Sequence, residues 1–296
     1  MRIFQVDAFT STRFTGNPAT VVLDADGHSD ATLSSIAREF AHAEVAFVCA
    51  ATGPDHEVRL RFFNSRKEAP FVGHATIAAH AVLLALGRRG VGVSRQHSGT
   101  GIIEVLAREG TQGKPMIEFR QTMPELEPAL PLKTTLRVAE ALRLPGTLLH
   151  ELMPARIARK GTTRLLVPVG EARALDGLMP NFDTLISLGN ELGTDGFFVF
   201  AIDRAGQSLS TESRMFCPAL GIPEDPVSGN AHSMLASYLW EQGQFDASAT
   251  GFIGRQGRSM NRAGEVNVKL EVAGGALIAA HIGGSAVIVS EGTLAV

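Results

Sequence analysis

Two cysteines, Cys49 and Cys217, are the only thiols in this chain, and they have no CxxC spacing. That excludes a disulfide framework and a zinc ribbon. Aromatic residues are scarce, 6% with one Trp and one Tyr, so a stacking platform for single-stranded nucleic acid is missing. Charge of one sign is missing as well. The formal net charge of −3 gives no electrostatic footprint for nucleic acid or an anionic membrane. The longest helical apolar run, Ala75 to Leu86, is interrupted by His80 and is too short to span a bilayer. The opening residues, Met1-Arg2-Ile3-Phe4-Gln5-Val6-Asp7, contain no signal-peptide apolar core. The expectation is a soluble, cytoplasmic protein whose partner is a small molecule, not nucleic acid or a membrane.

What is present is globular. The 296 residues are 45% hydrophobic and 19% charged, with 31 glycines, enough for two ordinary domains. Short β-rich segments fit Ile3–Phe9, Ala19–Leu23, Ala46–Ala50 and Val58–Phe63, with Gly16-Asn17-Pro18 as a turn. Asp30 is a fair N-cap for a helix to about Ala41, and a second helix fits Ala75 to Leu86, ended by Gly87. Strands at Gly101–Ala107 and Pro115–Gln121 close this half. Thr122 to Pro131 reads as a crossover. Beyond it, strands fit Thr163–Val169, Gly196–Ile202 and Ser210–Phe216, with helices near Phe182–Leu192 and Ala231–Trp240. Gly264–Val272, Ala276–His281 and Ala286–Val289 read as closing strands. Strands outnumber helices, so a series of βαβ units is a poor description.

An internal repeat organises these elements. Glu68-Ala69-Pro70-Phe71-Val72-Gly73-His74-Ala75 aligns without a gap on Glu224-Asp225-Pro226-Val227-Ser228-Gly229-Asn230-Ala231. The shared pattern is E-x-P-x-x-G-x-A. Each copy follows a strand ending in phenylalanine (Arg61-Phe62-Phe63 and Arg214-Met215-Phe216) and precedes an alanine-rich helix. A Pro-x-x-Gly turn into a helix leaves backbone N–H groups without intrahelical acceptors, at the positive end of the helix dipole. Two such starts facing each other across a cleft would hold an anionic substrate. Ordinary turns into core helices are the competing reading. The copies differ in their titratable groups: His74 stands opposite Asn230, and Asp225 opposite Ala69. A helix N-terminus favours a neutral histidine and an ionised aspartate.

The ordered fragments resemble the PhzF-like, phenazine-biosynthesis-like family of the diaminopimelate epimerase-like superfamily. They are Asp7-Ala8-Phe9-Thr10, Gly16-Asn17-Pro18-Ala19, Ala43-Glu44-Val45-Ala46-Phe47-Val48, Gly73-His74-Ala75-Thr76 and Glu224 through His232, with Gln256-Gly257 and Asn261-Arg262 as a degraded C-terminal motif. The resemblance covers nearly the whole chain. It implies an α+β fold of two pseudo-symmetric domains, each a β-barrel around a central helix, with the ligand cleft between them. The expected domains are residues 1–121, completed by a strand at 284–296, and residues 122–283. It also implies a homodimer and a cofactor-independent isomerase acting on a small, cyclic carboxylate. Glu44 would be the proton shuttle, assisted by His74 and Asp225, with Gly73, Ala75, Ser228, Gly229 and Asn230 binding the substrate. From the residues alone, Glu44 reads equally as a solvated glutamate at a helix end. A glutamate partly desolvated in a closed cleft can exchange protons near neutrality. Ala43, Val72 and Asn230 depart from the commonest family residues, and those departures leave the substrate open.

Other chemistries fit less well. The superfamily's two-thiol epimerases need cysteines where this chain has Val72 and Pro226, and neither side chain carries a proton. Cys49 and Cys217 read as small buried hydrophobes, with Cys217 alternatively at the cleft edge. The nine histidines are scattered without HExxH, and His74 and His80 do not share a helix face, so no metal site is expected. His232 either packs near its helix start or touches ligand. Gly99-Thr100-Gly101 lacks the rest of a dinucleotide loop and reads as a turn. The alternative to an isomerase is a non-catalytic metabolite-binding protein with the same cleft.

Overall fold

The structure, a computed structural model, describes residues 1–40, 44–110, 114–205, 208–246 and 250–296. Ala43 and the expected end of the first helix at Ala41 lie outside the described residues. The chain divides into two compact units, Met1–Arg120 with Gly283–Val296, and Gln121–Ile282.

The first unit runs β1 (Arg2–Ala8), β2 (Asn17–Val22), α1 (Asp30–Glu39), β3 (Val45–Cys49), β4 (Val58–Phe63), a two-residue β5 (Glu68–Ala69), α2 (Gly73–Ala85), β6 (Gly92–Ser98), β7 (Gly101–Glu109) and β8 (Pro115–Thr122). The second holds β9 (Glu125–Leu126), α3 (Leu132–Ala141), β10 (Arg156–Lys160), β11 (Thr162–Val169), α4 (Phe182–Leu192), β12 (Gly196–Ala205), β13 (Ser208–Cys217), β14 (Ile222–Asp225), α5 (Gly229–Glu241), β15 (Gly251–Gln256) and β16 (Gly264–Ala273). The last strand, β17 (Ala276–Thr293), contains the unit boundary.

Strand pairing follows one scheme in both units. Antiparallel β1–β2, parallel β2–β3, antiparallel β3–β4 and parallel β4–β6 lead to antiparallel β6–β7. The matching series is β10–β11, β11–β12, β12–β13, β13–β15 and β15–β16, with the same senses. In the first unit β8 pairs with β17, and β17 pairs with β1, so the sheet closes into a barrel. Closure removes the exposed edges that an open sheet would leave.

The central helices follow from sequence. In α2, every residue from Ala75 to Leu83 is buried, and in α5 every residue from Ala231 to Leu239. A helix that is apolar on all sides has no solvent face and must be wrapped by other elements. Its many alanines allow the strands to come close. The amphipathic helices lie on the outside. Leu33, Ile36 and Ala37 of α1 cover Val22, Val45, Phe47 and Phe63, whereas Val138 of α3 and Leu185 and Leu188 of α4 share a core with Val167, Val199 and Phe216.

Three local expectations are corrected. Ser29, not Asp30, caps α1, its Oγ accepting the Thr32 N–H at 3.2 Å, and Asp30 instead pairs with Arg61 at 2.8 Å. Gly16 does turn (φ +66), but Asn17 and Pro18 already belong to β2, opposite Ala8 and Asp7. The last two closing strands, Ala276–His281 and Ala286–Val289, are one, β17, despite Gly283-Gly284. A Cβ on Gly284 would fall 2.5 Å from the Phe9 ring, so this glycine makes room for packing and does not break the strand.

Candidate active site

Glu44 immediately precedes β3, and His74 is the second residue of α2. The two elements pack together, so the histidine Nε2 stands 3.6 Å from Glu44 Oε2. Both side chains are largely shielded, with 11% of His74 and 19% of Glu44 exposed. Burial pushes the His74 imidazole down to about 4, so the ring is neutral at pH 7 and the contact is not an ion pair. Among the described residues, Nε2 has no hydrogen-bond partner. The gap lies just beyond hydrogen-bond reach, so a small side-chain adjustment closes it.

The helix starts are alike in position and unlike in finish. The α2 cap residue, Val72, has no side-chain acceptor, so the N–H groups of Gly73, His74 and Ala75 have no acceptor within the helix. Ala75 is fully buried, methyl and backbone alike. The missing side chain of Gly73 leaves room for the Phe119 ring, since a Cβ there would fall 3.0 Å from Phe119 Cζ. In α5 the cap is Ser228, whose Oγ accepts the Ala231 N–H at 3.3 Å. The N–H groups of Gly229 and Asn230 have no acceptor within the helix, and the Asn230 carboxamide donates to Thr162 Oγ1 at 2.8 Å. Asp225 ends β14, partly exposed, four residues before α5 begins.

The strand before each motif repeats in atomic detail. Arg61 donates to both carboxylate oxygens of Glu68 at 2.8 Å and lies 5.0 Å over the Phe63 ring. Arg214 donates to Glu224 at 2.9 and 2.8 Å and lies 5.0 Å over Phe216. The shared glutamate of E-x-P-x-x-G-x-A is therefore an anchor for its helix start.

Residues outside the expected site also resolve. His232 is fully buried, and its Nδ1–H donates to the Ser228 carbonyl at 2.7 Å. Its ring occupies the space that a side chain on Gly254 would need, which makes it a packing residue. Both thiols are buried. Burial pushes Cys217 up to about 12 and raises Cys49, so neither is a thiolate at neutral pH. Among the described residues no group of three His, Cys, Asp or Glu side chains could hold a metal ion, and no helix is long and apolar enough to cross a membrane. Gln256, quoted above only as a motif fragment, is a buried residue that periodicity misses: its carboxamide bonds the loop leading into α5.

The chain is similar to known proteins over nearly its whole length. The PhzC-PhzF profile, phenazine biosynthesis-like protein, matches residues 6–292. The uncharacterized isomerase YddE of Escherichia coli O157:H7 is 35% identical over 292 residues, covering 97% of this chain and 96% of its own. The crystal structure of a PhzF-family phenazine biosynthesis protein from Bacillus anthracis superposes with a TM-score of 0.88 at 25% identity, covering 100% and 99% of the two chains. A hydroxyproline epimerase from Agrobacterium vitis, solved with bound trans-4-hydroxy-L-proline, shares the fold at a TM-score of 0.61 and 14% identity, covering 99% and 90%. The repeated barrel with its central helix is thus the diaminopimelate epimerase-like fold, and the chain belongs to the phenazine biosynthesis-like protein family as an isomerase-type enzyme.

Proposed function

We propose that this isomerase moves a proton within a small, cyclic carboxylate, with Glu44 as the group that takes and returns it. The observation that carries this reading is the Glu44–His74 contact, 3.6 Å between a shielded carboxylate and a neutral imidazole. Glu44 removes a proton from one carbon and delivers it to another as the double bond shifts between them. Nothing is oxidised or reduced, and no group leaves. A neutral His74 can donate one N–H to the carboxylate or to the substrate without competing for the proton. The N–H groups of Gly73, Gly229 and Asn230 are the donors suited to a substrate carboxylate. Ser228 caps α5, and the family resemblance makes Asp225 an assisting group. The resemblance further supports a homodimer.

The test is proton exchange with solvent. In D2O, NMR follows deuterium entering a panel of unsaturated cyclic carboxylic acids. Wild type is expected to label at least one, and Glu44→Gln to slow labelling by about 10²–10⁴-fold, the usual share of a general acid–base. Equal labelling by Glu44→Gln removes Glu44 from the chemistry. Binding without labelling by wild type makes this a metabolite-binding protein.

A further inference from the structure

Gln256 ends β15, 2% exposed, in the interior of the second unit. Its carboxamide makes two directional contacts with one loop. Oε1 accepts the Ser228 N–H at 3.0 Å, and Nε2 donates to the Asp225 carbonyl at 2.6 Å. These groups lie at the two ends of Asp225-Pro226-Val227-Ser228, so a single side chain spans the turn that enters α5. The next residues hold the same loop. Gly257 has φ +89, and a Cβ there would fall 2.7 Å from the Pro226 carbonyl oxygen. Ser259 Oγ donates to Glu224 Oε1 at 2.7 Å.

The first unit does not use this device. There the buried glutamine of the strand after the central helix, Gln96, turns to the helix interior, with His80 Nε2 at 3.0 Å and Thr76 Oγ1 at 3.5 Å. The α2 start carries the titratable histidine, and the α5 start is pinned from outside the helix. We propose that Gln256 is a positioning residue. It fixes the Asp225–Ser228 loop so that the Asp225 carboxylate and the N–H groups of Gly229 and Asn230 are presented to an anionic substrate in one arrangement.

This assignment rests on the functional reading above for its purpose, but its geometry is testable without a substrate. Gln256→Met keeps the length and removes both hydrogen bonds. Amide hydrogen exchange at Ser228, Gly229 and Asn230 is expected to accelerate about tenfold or more, as for loss of a buried bond, while Met234 to Leu239 keep their protection. Gln256→Glu supplies a sharper readout. Ionised, it still accepts from Ser228 but offers no donor to the Asp225 carbonyl. Protonated, it is a near-isostere of glutamine and offers both. Protection factors at 228–230 should therefore recover on acidification in Gln256→Glu and not in Gln256→Met. Where a carboxylate that exchanges deuterium is in hand, KM for it should rise about tenfold in Gln256→Met with kcat little changed, the pattern of lost binding.

Unchanged exchange at 228–230 in Gln256→Met, or equal loss of protection along all of α5, overturns the assignment. So does the absence of acid recovery in Gln256→Glu. If no carboxylate is ever labelled, the functional reading fails while the exchange results still decide what Gln256 does.

Discussion

His74 Nε2 faces Glu44 Oε2 across 3.6 Å, at the start of a helix whose cap residue offers no side-chain acceptor. A neutral donor beside a carboxylate steers the carboxylate and does not consume its proton. His74→Phe removes that donor while keeping a buried ring. Turnover in the deuterium assay is expected to fall about 10- to 100-fold, the scale of one hydrogen bond to a charged group, with the circular dichroism spectrum unchanged. His74→Gln keeps an N–H and should recover part of the rate. Turnover equal to wild type in His74→Phe would remove His74 from the reaction.

Buried imidazoles also set an acid limit on stability. Burial holds His74 and His232 at about 4 and, with Arg89 beside it, His80 at about 3, against an ordinary value of 6.5. Between these values the unfolded chain binds protons that the folded chain does not, so acid favours unfolding. The stabilisation from neutral rings is complete above about pH 6.5 and declines as pH falls through the window down to about 4. The urea midpoint should therefore drop between about pH 7 and about pH 4.5 with net proton uptake on unfolding, and less steeply in His80→Gln. A midpoint independent of pH over that range would mean the rings are hydrated in solution.

The repeat and both central helices were legible in the sequence because each is written in side chains that must do one thing. Ala75–Leu83 is apolar but for Thr76 and His80, and Glu68 and Glu224 stand at matched places after an Arg-x-Phe strand end. The strands β6 and β15 were not legible, and they occupy the same place in the two units. Their inward residues are Ser94, Gln96 and Ser98 in one, and Gly254 and Gln256 beside Phe252 in the other. Those positions face polar groups on the central helices, His80 and His232, so the usual apolar alternation is missing where the barrel is filled by hydrogen bonds and ring volume. Helix α3 escaped notice for another reason: its cap, Pro131, makes no side-chain bond, and threonines open the helix. Within the site, Glu44 and His74 were legible as family residues, whereas their 3.6 Å approach depends on how β3 packs against α2, which no local pattern encodes.

The paired arginines permit a last, comparative prediction. Both grip a glutamate with two bonds and lie over a phenylalanine, yet their surroundings differ. Side-chain exposure is 18% and 42% for Arg61 and Glu68 but 12% and 15% for Arg214 and Glu224. Arg214 also donates to the carbonyls of Leu175 and Leu178, at 2.8 and 3.0 Å, and Glu224 also accepts from Ser259. Removing the guanidinium strips two carbonyls of a donor and a shielded carboxylate of its counter-charge. Arg214→Met should therefore destabilise by about 3 kcal/mol. Glu68 keeps water as an alternative partner, so Arg61→Met should cost about 1 kcal/mol or less. Adding Glu224→Gln to Arg214→Met should recover part of the loss, because the stranded charge is then removed. Urea denaturation at neutral pH measures all three. Equal losses in the two single variants would show that the bonds, not the burial, set the energy, and would make the two anchors interchangeable in strength as well as in form.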